Sequence, residues 1–183
     1  MRHSVLILAL LLVPAPGCGG GAVKTSTLKT VASVDLERYL GTWYEIARYP
    51  NSFQKNCFGS KAEYTLREDG KIGVKNTCRK GSRDGKVDQA RGKAWVVDTE
   101  TNAKLKVSFF WPFSGHYWII DLHEDYEYAV VGHPDRTYLW ILARESTMDR
   151  DTYDGICERL VAQGYDPDRL IVEEGALVEA PSP

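Results

Sequence analysis

No stretch of this sequence is apolar for long enough to cross a bilayer. The run from Val5 to Val13 has nine residues, well under the ~20 that a spanning helix needs. No cluster of Lys and Arg marks a patch, and the formal net charge is only −2, so nucleic acid is not an expected partner. The chain lacks a Gly-x-Ser-x-Gly elbow and a phosphate-binding loop. Gly19-Gly20-Gly21 precedes no strand–helix unit and reads as a linker. Histidine is scarce, at four. His123-Glu124 has no second His at helical metal spacing, and His116, His123 and His133 are scattered over loops and strand ends. No metal site and no cofactor are expected. There is no internal repeat and no sign of a second domain. Cysteine is also scarce, at four.

What remains is an ordinary globular composition, 43% hydrophobic and 26% charged, with a generous 5 Trp, 10 Tyr and 5 Phe. A length of 183 residues suffices for one domain with a sizeable core. Residues 1–18 stand apart from fold reasoning. Arg2 and His3 form a short positive region ahead of the apolar run. Pro14-Ala15-Pro16-Gly17-Cys18 then resembles a bacterial lipoprotein signal, in which the Cys is lipidated and becomes the new N-terminus. Ala15 stands where Leu is usual; a plain secretory signal is the alternative. Gly19 is not the Asp associated with inner-membrane retention, so the resemblance implies the outer membrane. The chain divides into a signal peptide (1–17), a flexible Gly/Ser/Thr/Lys-rich tether (18–34), a folded domain (35–175) and a disordered tail (176–183) ending Ala180-Pro181-Ser182-Pro183.

From Asp35 onward the pattern is strand after strand. Val34, Leu36, Tyr39 and Leu40 pack a short helical turn. A strand then runs from about Trp43 to Tyr49 and stops at Pro50. Gly41 before it predicts a close backbone approach where a Cβ would not fit. In Ser60 to Arg67, Ala62, Tyr64 and Leu66 alternate with polar residues at period two. Asp69-Gly70 predicts a type I′ hairpin turn, and the return strand places Ile72, Val74 and Asn76 on the inner phase. Further strands are read over Ala90 to Val97, Lys104 to Phe109, Tyr117 to Leu122, Tyr126 to Gly132 and Thr137 to Arg144. An aromatic loop, Trp111 to Gly115, and polar turns join them. Eight short strands with short connections predict an all-β fold: an antiparallel up-and-down β-barrel. Such a barrel holds packed side chains or one small ligand. If the sheet closes, Arg144 at the end of the last strand meets Trp43 at the start of the first. The stacking would be worth roughly 0.5–2 kcal/mol. The period then switches: Tyr153, Ile156, Cys157, Leu160 and Val161 mark one face of a C-terminal α-helix. Asp149 or Thr147 caps its start and Gly164 its end. Arg169 to Val172 forms a short final strand.

Three segments carry a family resemblance. Gly41-x-Trp43-Tyr44-Glu45-Ile46-Ala47-Arg48, Asp125-Tyr126-Glu127-Tyr128-Ala129 and Leu139-Trp140-Ile141-Leu142-Ala143-Arg144 look like the three ordered motifs of the lipocalins. Glu124 stands where Thr usually precedes the second motif. Lys104-Leu105-Lys106-Val107-Ser108-Phe109-Phe110 and Pro112-Phe113 are typical of the bacterial outer-membrane group that is similar to apolipoprotein D. The match runs from about Asp35 to Val172. The resemblance implies an eight-stranded calyx with the helix outside it. It also implies a non-enzymatic role: binding fatty acids or lysophospholipids, and storing or transporting them for envelope maintenance. Location would be the outer membrane, lipid-anchored through Cys18 and facing the periplasm. Monomer and homodimer are both compatible with the sequence. Gly41, Trp43 and Arg144 are read as closing the barrel floor.

Alternation places Tyr64, Val74, Asn76, Ala94, Val107, Phe109, Tyr117, Ile119, Val131, Tyr138 and Trp140 on the inward phase as the candidate lining. Either these side chains fill the barrel or they surround a ligand. The small residues Ala90, Gly92 and Ala94 on one strand argue for room inside, and Tyr and Asn at inner positions could fix a polar head. An enzyme acting on a lipophilic substrate is the alternative from another class. Its only candidate groups are Asp121 and a free Cys78. With Cys18 acylated, an exported protein favours one disulfide among the remaining cysteines. Cys57–Cys78 is the expected pair, on the condition that the loop before the first hairpin folds back. Cys157 would be a buried free thiol.

Overall fold

The structure, a computed structural model, describes residues 27–179. Eight antiparallel strands build the body: β1 (Gly41–Arg48), β2 (Cys57–Leu66), β3 (Ile72–Lys80), β4 (Val87–Val96), β5 (Lys104–Phe110), β6 (Phe113–Leu122), β7 (Tyr128–Gly132) and β8 (Leu139–Ala143). Each pairs with the next, and β8 pairs back onto β1 with Tyr44 opposite Ala143 and Arg48 opposite Trp140. The sheet is therefore a closed barrel, as the strand count and short connections predicted. A four-residue helix, α1 (Leu36–Tyr39), precedes it, capped by Asp35 through its carboxylate. Helix α2 (Arg150–Ala162) follows, and Ile171–Val172 adds antiparallel to the outside of β1.

The barrel wall separates two cores because side chains alternate across a strand. Trp43, Tyr64, Val74, Ala94, Ile119, Val131 and Leu142 form the inner one. Ile46, Ala47, Val130, Ile141, Ile156 and Leu160 form the outer one, where α2 docks. The helix starts at Asp149, whose carboxylate accepts from the Thr152 N–H at 2.8 Å. Ile156 and Leu160 are fully buried, each worth roughly 1.5–3 kcal/mol of hydrophobic stabilisation. β1 serves both cores through a break in its pairing with β8 between Glu45 and Ala47. Ile46 and Ala47 both join the outer core, and Arg48 returns to the inner face opposite Trp140.

Several expectations are corrected. The β2–β3 turn is not type I′. Asp69 does not have positive φ; Gly70 alone of the pair does, at 73°. With Arg67 bonded to Gly70 and to Lys71, the loop has the three-residue form in which glycine takes the left-handed position. This moves the register by one, so that Tyr64 faces Val74. Leu66 is on the inner phase but projects past the floor and is 65% exposed. On α2, Val161 is exposed. It lies ~80° around the helix from Tyr153, outside the stripe that meets the barrel. β6 begins at Phe113, so the aromatic loop shrinks to Trp111-Pro112. The tether is not free up to residue 34: Leu28 and Val34 are buried, and the Val31 N–H donates to the Ile119 carbonyl at 3.1 Å. The tail is not free from residue 176 either. Ala176 is buried and Leu177–Val178 pairs parallel to Met148–Asp149. The expected signal peptide, Cys18 and residues 180–183 lie outside the described residues.

Candidate functional site

The floor is sealed by one cation. The Arg144 guanidinium carbon stands 3.8 Å from the centre of the Trp43 ring. Its N–H groups donate to the carbonyls of Leu40 at 2.9 Å, Thr42 at 3.0 Å and Tyr126 at 3.3 Å, and to Arg38. The Trp43 indole N–H donates to the Tyr39 carbonyl at 2.8 Å. The Tyr126 hydroxyl accepts from the Asp35 N–H at 2.8 Å, tying the N-terminal turn to the same plug. Gly41 is needed here for its backbone: φ is +94°, which a residue with a Cβ rarely adopts. The expected steric close approach is the lesser reason, since an added Cβ would lie 3.4 Å from Arg144 Nη1.

Above the floor, three tyrosines meet in the barrel axis. The Tyr117 hydroxyl is 2.8 Å from that of Tyr39 and 2.9 Å from that of Tyr64. Burial pushes the Tyr64 hydroxyl up to about 12 and those of Tyr39 and Tyr117 well above the ordinary phenol value. All three are neutral hydrogen-bonding groups at physiological pH. Their rings, with Ile72, Val74, Ala94, Leu105 and Val107, leave a void of about 10 Å³, room for roughly one water. The small residues of β4 therefore do not translate into empty space at this depth. Tyrosine rings take the room beside Ala94, and Phe109 takes the room beside Gly92. A Cβ on Gly92 would lie 2.8 Å from the Phe109 ring and 2.6 Å from the Ser108 carbonyl oxygen.

The upper half is different. Asn76, Ala90 and Phe109 are on the inner phase yet solvent-exposed. The mouth is rimmed by Phe53, Tyr138 and Trp140, whose rings contact one another. On the β1 side the interior carries a charge pair. Arg48 Nη1 donates to Glu45 Oε1 at 2.7 Å, and both side chains are more than nine-tenths buried. The loop between β1 and β2 reaches in with Gln54. Its amide N–H donates to Glu45 Oε2 at 2.7 Å, and its amide oxygen accepts from the Trp140 indole at 2.8 Å. Burial raises the Glu45 carboxyl above the usual carboxylate range, against the opposing pull of Arg48 and Gln54.

Residues 34–175 match the family model described as a Lipocalin-like domain. The chain belongs to the lipocalin family. It is 40% identical over 172 residues to the outer membrane lipoprotein Blc of Vibrio cholerae, covering 93% of this chain and 97% of that one. It is 39% identical over 152 residues to temperature-induced lipocalin-1 of Arabidopsis thaliana, with 78% and 80% covered. Among solved structures it superimposes on insecticyanin from the tobacco hornworm Manduca sexta with a TM-score of 0.65. That match covers 85% and 89% of the two chains at 20% identity, and is a likeness of fold.

Within this lipocalin the sequence-derived residues fall into three groups. Trp43, Arg144 and Gly41 converge at the floor. Tyr64, Val74, Ala94, Val107, Tyr117 and Ile119 line the narrow lower half, with Val131 in the same inner core. Asn76, Phe109, Tyr138 and Trp140 belong to the upper half. Cys57 and Cys78 are bonded, with Cα atoms 5.5 Å apart. The bridge needs Gly59 and Ser60 together to oppose Cys78 alone, a bulge in the β2–β3 pairing. Cys157 is free and half-buried, so more open than expected. Asp121 is outside the calyx, where it accepts from Arg159 of α2 at 2.7 Å. Sequence reasoning missed Tyr39, Tyr126, Glu45, Arg48 and Gln54. Glu45 and Arg48 stood within the first motif. Only the bulge, which breaks the period-two count, brings both to the inside.

Proposed function

We propose that this lipocalin binds single-chain lipids, fatty acids or lysophospholipids, in the upper half of its calyx and stores or carries them for maintenance of the cell envelope. The observation that carries the reading is the one-ended interior. The floor is sealed by Trp43 and Arg144, while inner-phase residues near the mouth are exposed to solvent. An apolar wall with a few placed polar groups suits a ligand with a long tail and a polar head. The likeness to a protein named an outer membrane lipoprotein supports an anchor through Cys18 on the outer membrane; that the domain faces the periplasm is part of the proposal. A homodimer is compatible with this arrangement.

The enzyme alternative loses its candidate groups, because Cys78 is in a disulfide and Asp121 is bound to Arg159 on the outer face. Mass spectrometry of lipids co-purifying with the full chain tests the binding role: stoichiometric single-chain lipid is expected, and none after mild purification would overturn it. Cys18→Ser should abolish labelling with radioactive fatty acid and release the protein from the membrane fraction. Unchanged membrane association would remove the anchor from this reading.

A further inference from the structure

The Arg48 side chain has five N–H donors and, among the described residues, makes one side-chain hydrogen bond, to Glu45. It is nevertheless 93% buried on the inner face, since its relative exposure is 7%. None of its nitrogens is both fully buried and unpartnered, so the donors that Glu45 leaves free reach the solvent side of the interior and can take a further, anionic acceptor. Its cross-strand neighbour is Trp140, at the aromatic rim and above the apolar lower wall. Its free donors are thus placed where the polar end of an inserted amphiphile would rest.

We propose that Arg48 is the head-group anchor of the calyx, binding the carboxylate or phosphate of a single-chain amphiphile, and that Glu45 takes up a proton from solvent as the anion arrives. This deepens the lipid-binding reading and rests on it. The charge logic is direct. Glu45 neutralises Arg48 at 2.7 Å. An anion bound to Arg48 places a second negative charge beside Glu45, which favours its protonated form. Burial already biases Glu45 that way, and Glu173 adds to it, while Arg48 and Gln54 oppose it. Trp140 and Leu142, the neighbours from β8, bring no charge. Once protonated, Glu45 releases Arg48 to bind the anion by a planar two-pronged contact, the geometry that guanidinium favours.

Two probes of equal tail length separate head from tail: dodecanesulfonate, ionised at every working pH, and dodecanol, never ionised. Both are titrated into the full chain carrying Cys18→Ser in all arms. Sulfonate affinity is expected to rise by about tenfold from mildly alkaline to mildly acidic pH, with about one proton absorbed per ligand, read from heats in buffers of different ionisation enthalpy. Arg48→Gln should weaken the sulfonate by at least about tenfold and leave dodecanol unchanged. Glu45→Gln should erase the pH dependence and bind sulfonate at alkaline pH as wild type does at acid pH. Dodecanoate against dodecyl phosphate then distinguishes the two head groups. If dodecanol fails to bind wild type, the calyx reading falls and this one with it. If dodecanol binds but the sulfonate ignores both Arg48→Gln and pH, the calyx stands and the anchor is overturned. Should Arg48→Gln not fold, proton uptake by wild type and the Glu45→Gln profile decide.

Discussion

Arg144 lies over Trp43 at 3.8 Å, so the residue after the last barrel strand rests on the third residue of the first. The barrel is closed twice at this point, once by the β1–β8 hydrogen bonds and once by this stack. The guanidinium also donates to the Leu40 and Thr42 carbonyls where the chain enters the barrel. Trp43→Ala removes a fully buried ring and uncovers the cation. A loss of about 3–5 kcal/mol is expected, measured by denaturant titration. Affinity for dodecanol well below the melting temperature should change little, because the floor is remote from the mouth. Binding lost with stability intact would make Trp43 a pocket residue.

Ala94→Trp tests the filled lower half. The void beside Ala94 is about 10 Å³, far less than an indole, so the change overpacks a core. Destabilisation of about 1–3 kcal/mol is expected, with binding at the mouth retained. An unchanged melting temperature would show that the tyrosine rings move aside easily and that the lower half is usable space.

Tyr117→Ala asks the converse. It removes the hydroxyl that joins Tyr39 to Tyr64 and clears the barrel axis. Longer acyl chains should gain affinity relative to short ones, measured by titration over a series of chain lengths, while stability falls by about 3–5 kcal/mol. A chain-length preference identical to wild type would mean that Tyr117 does not set the depth of the site.

The tyrosine cluster also predicts an alkaline limit. Burial raises Tyr64 to about 12 from about 10 in the unfolded chain. The folded state holds its phenol protons more tightly, so its contribution is fully present below about pH 10. It is lost as pH rises through about 12. Melting temperature should fall across that interval, and Tyr64→Phe with Tyr117→Phe should flatten the fall. An unaltered slope in the double variant would assign alkaline unfolding to other groups.

Reduction of Cys57–Cys78 should lower stability by about 3 kcal/mol, read from melts with and without reductant. Peptide mapping should place both residues in one cross-linked pair, with Cys157 alkylated slowly until the chain unfolds, because burial raises its thiol. No change on reduction would mean that the bulge at Gly59 and Ser60 holds the first hairpin without the bond.

Alternation and turn residues were enough to place the eight strands, the inner phase and the C-terminal helix, because the periods of 2 and 3.6 are local properties of the backbone; that the helix packs outside the barrel was implied by the family resemblance. The pairing of Trp43 with Arg144 was legible for a related reason: closure of a barrel joins the first strand to the last. Three matters were decided only in three dimensions. The register of β2 on β3 depended on whether Asp69 or only Gly70 took positive φ, a choice between turns with similar residue preferences. The contents of the barrel depended on where large rings from distant strands met. Ala90, Gly92 and Ala94 marked small positions, but Phe109 and the three tyrosines settled who occupied the space beside them. The charge pair was hidden by a single irregularity in β1. Strict alternation puts Glu45 and Ala47 on one face and Arg48 on the other, and the break between Glu45 and Ala47 turns Arg48 inward. A bulge forms where packing outside the barrel favours two successive apolar residues, Ile46 and Ala47, in the core that Ile156 and Leu160 of α2 share. That preference belongs to the assembled cores and not to any short stretch of sequence.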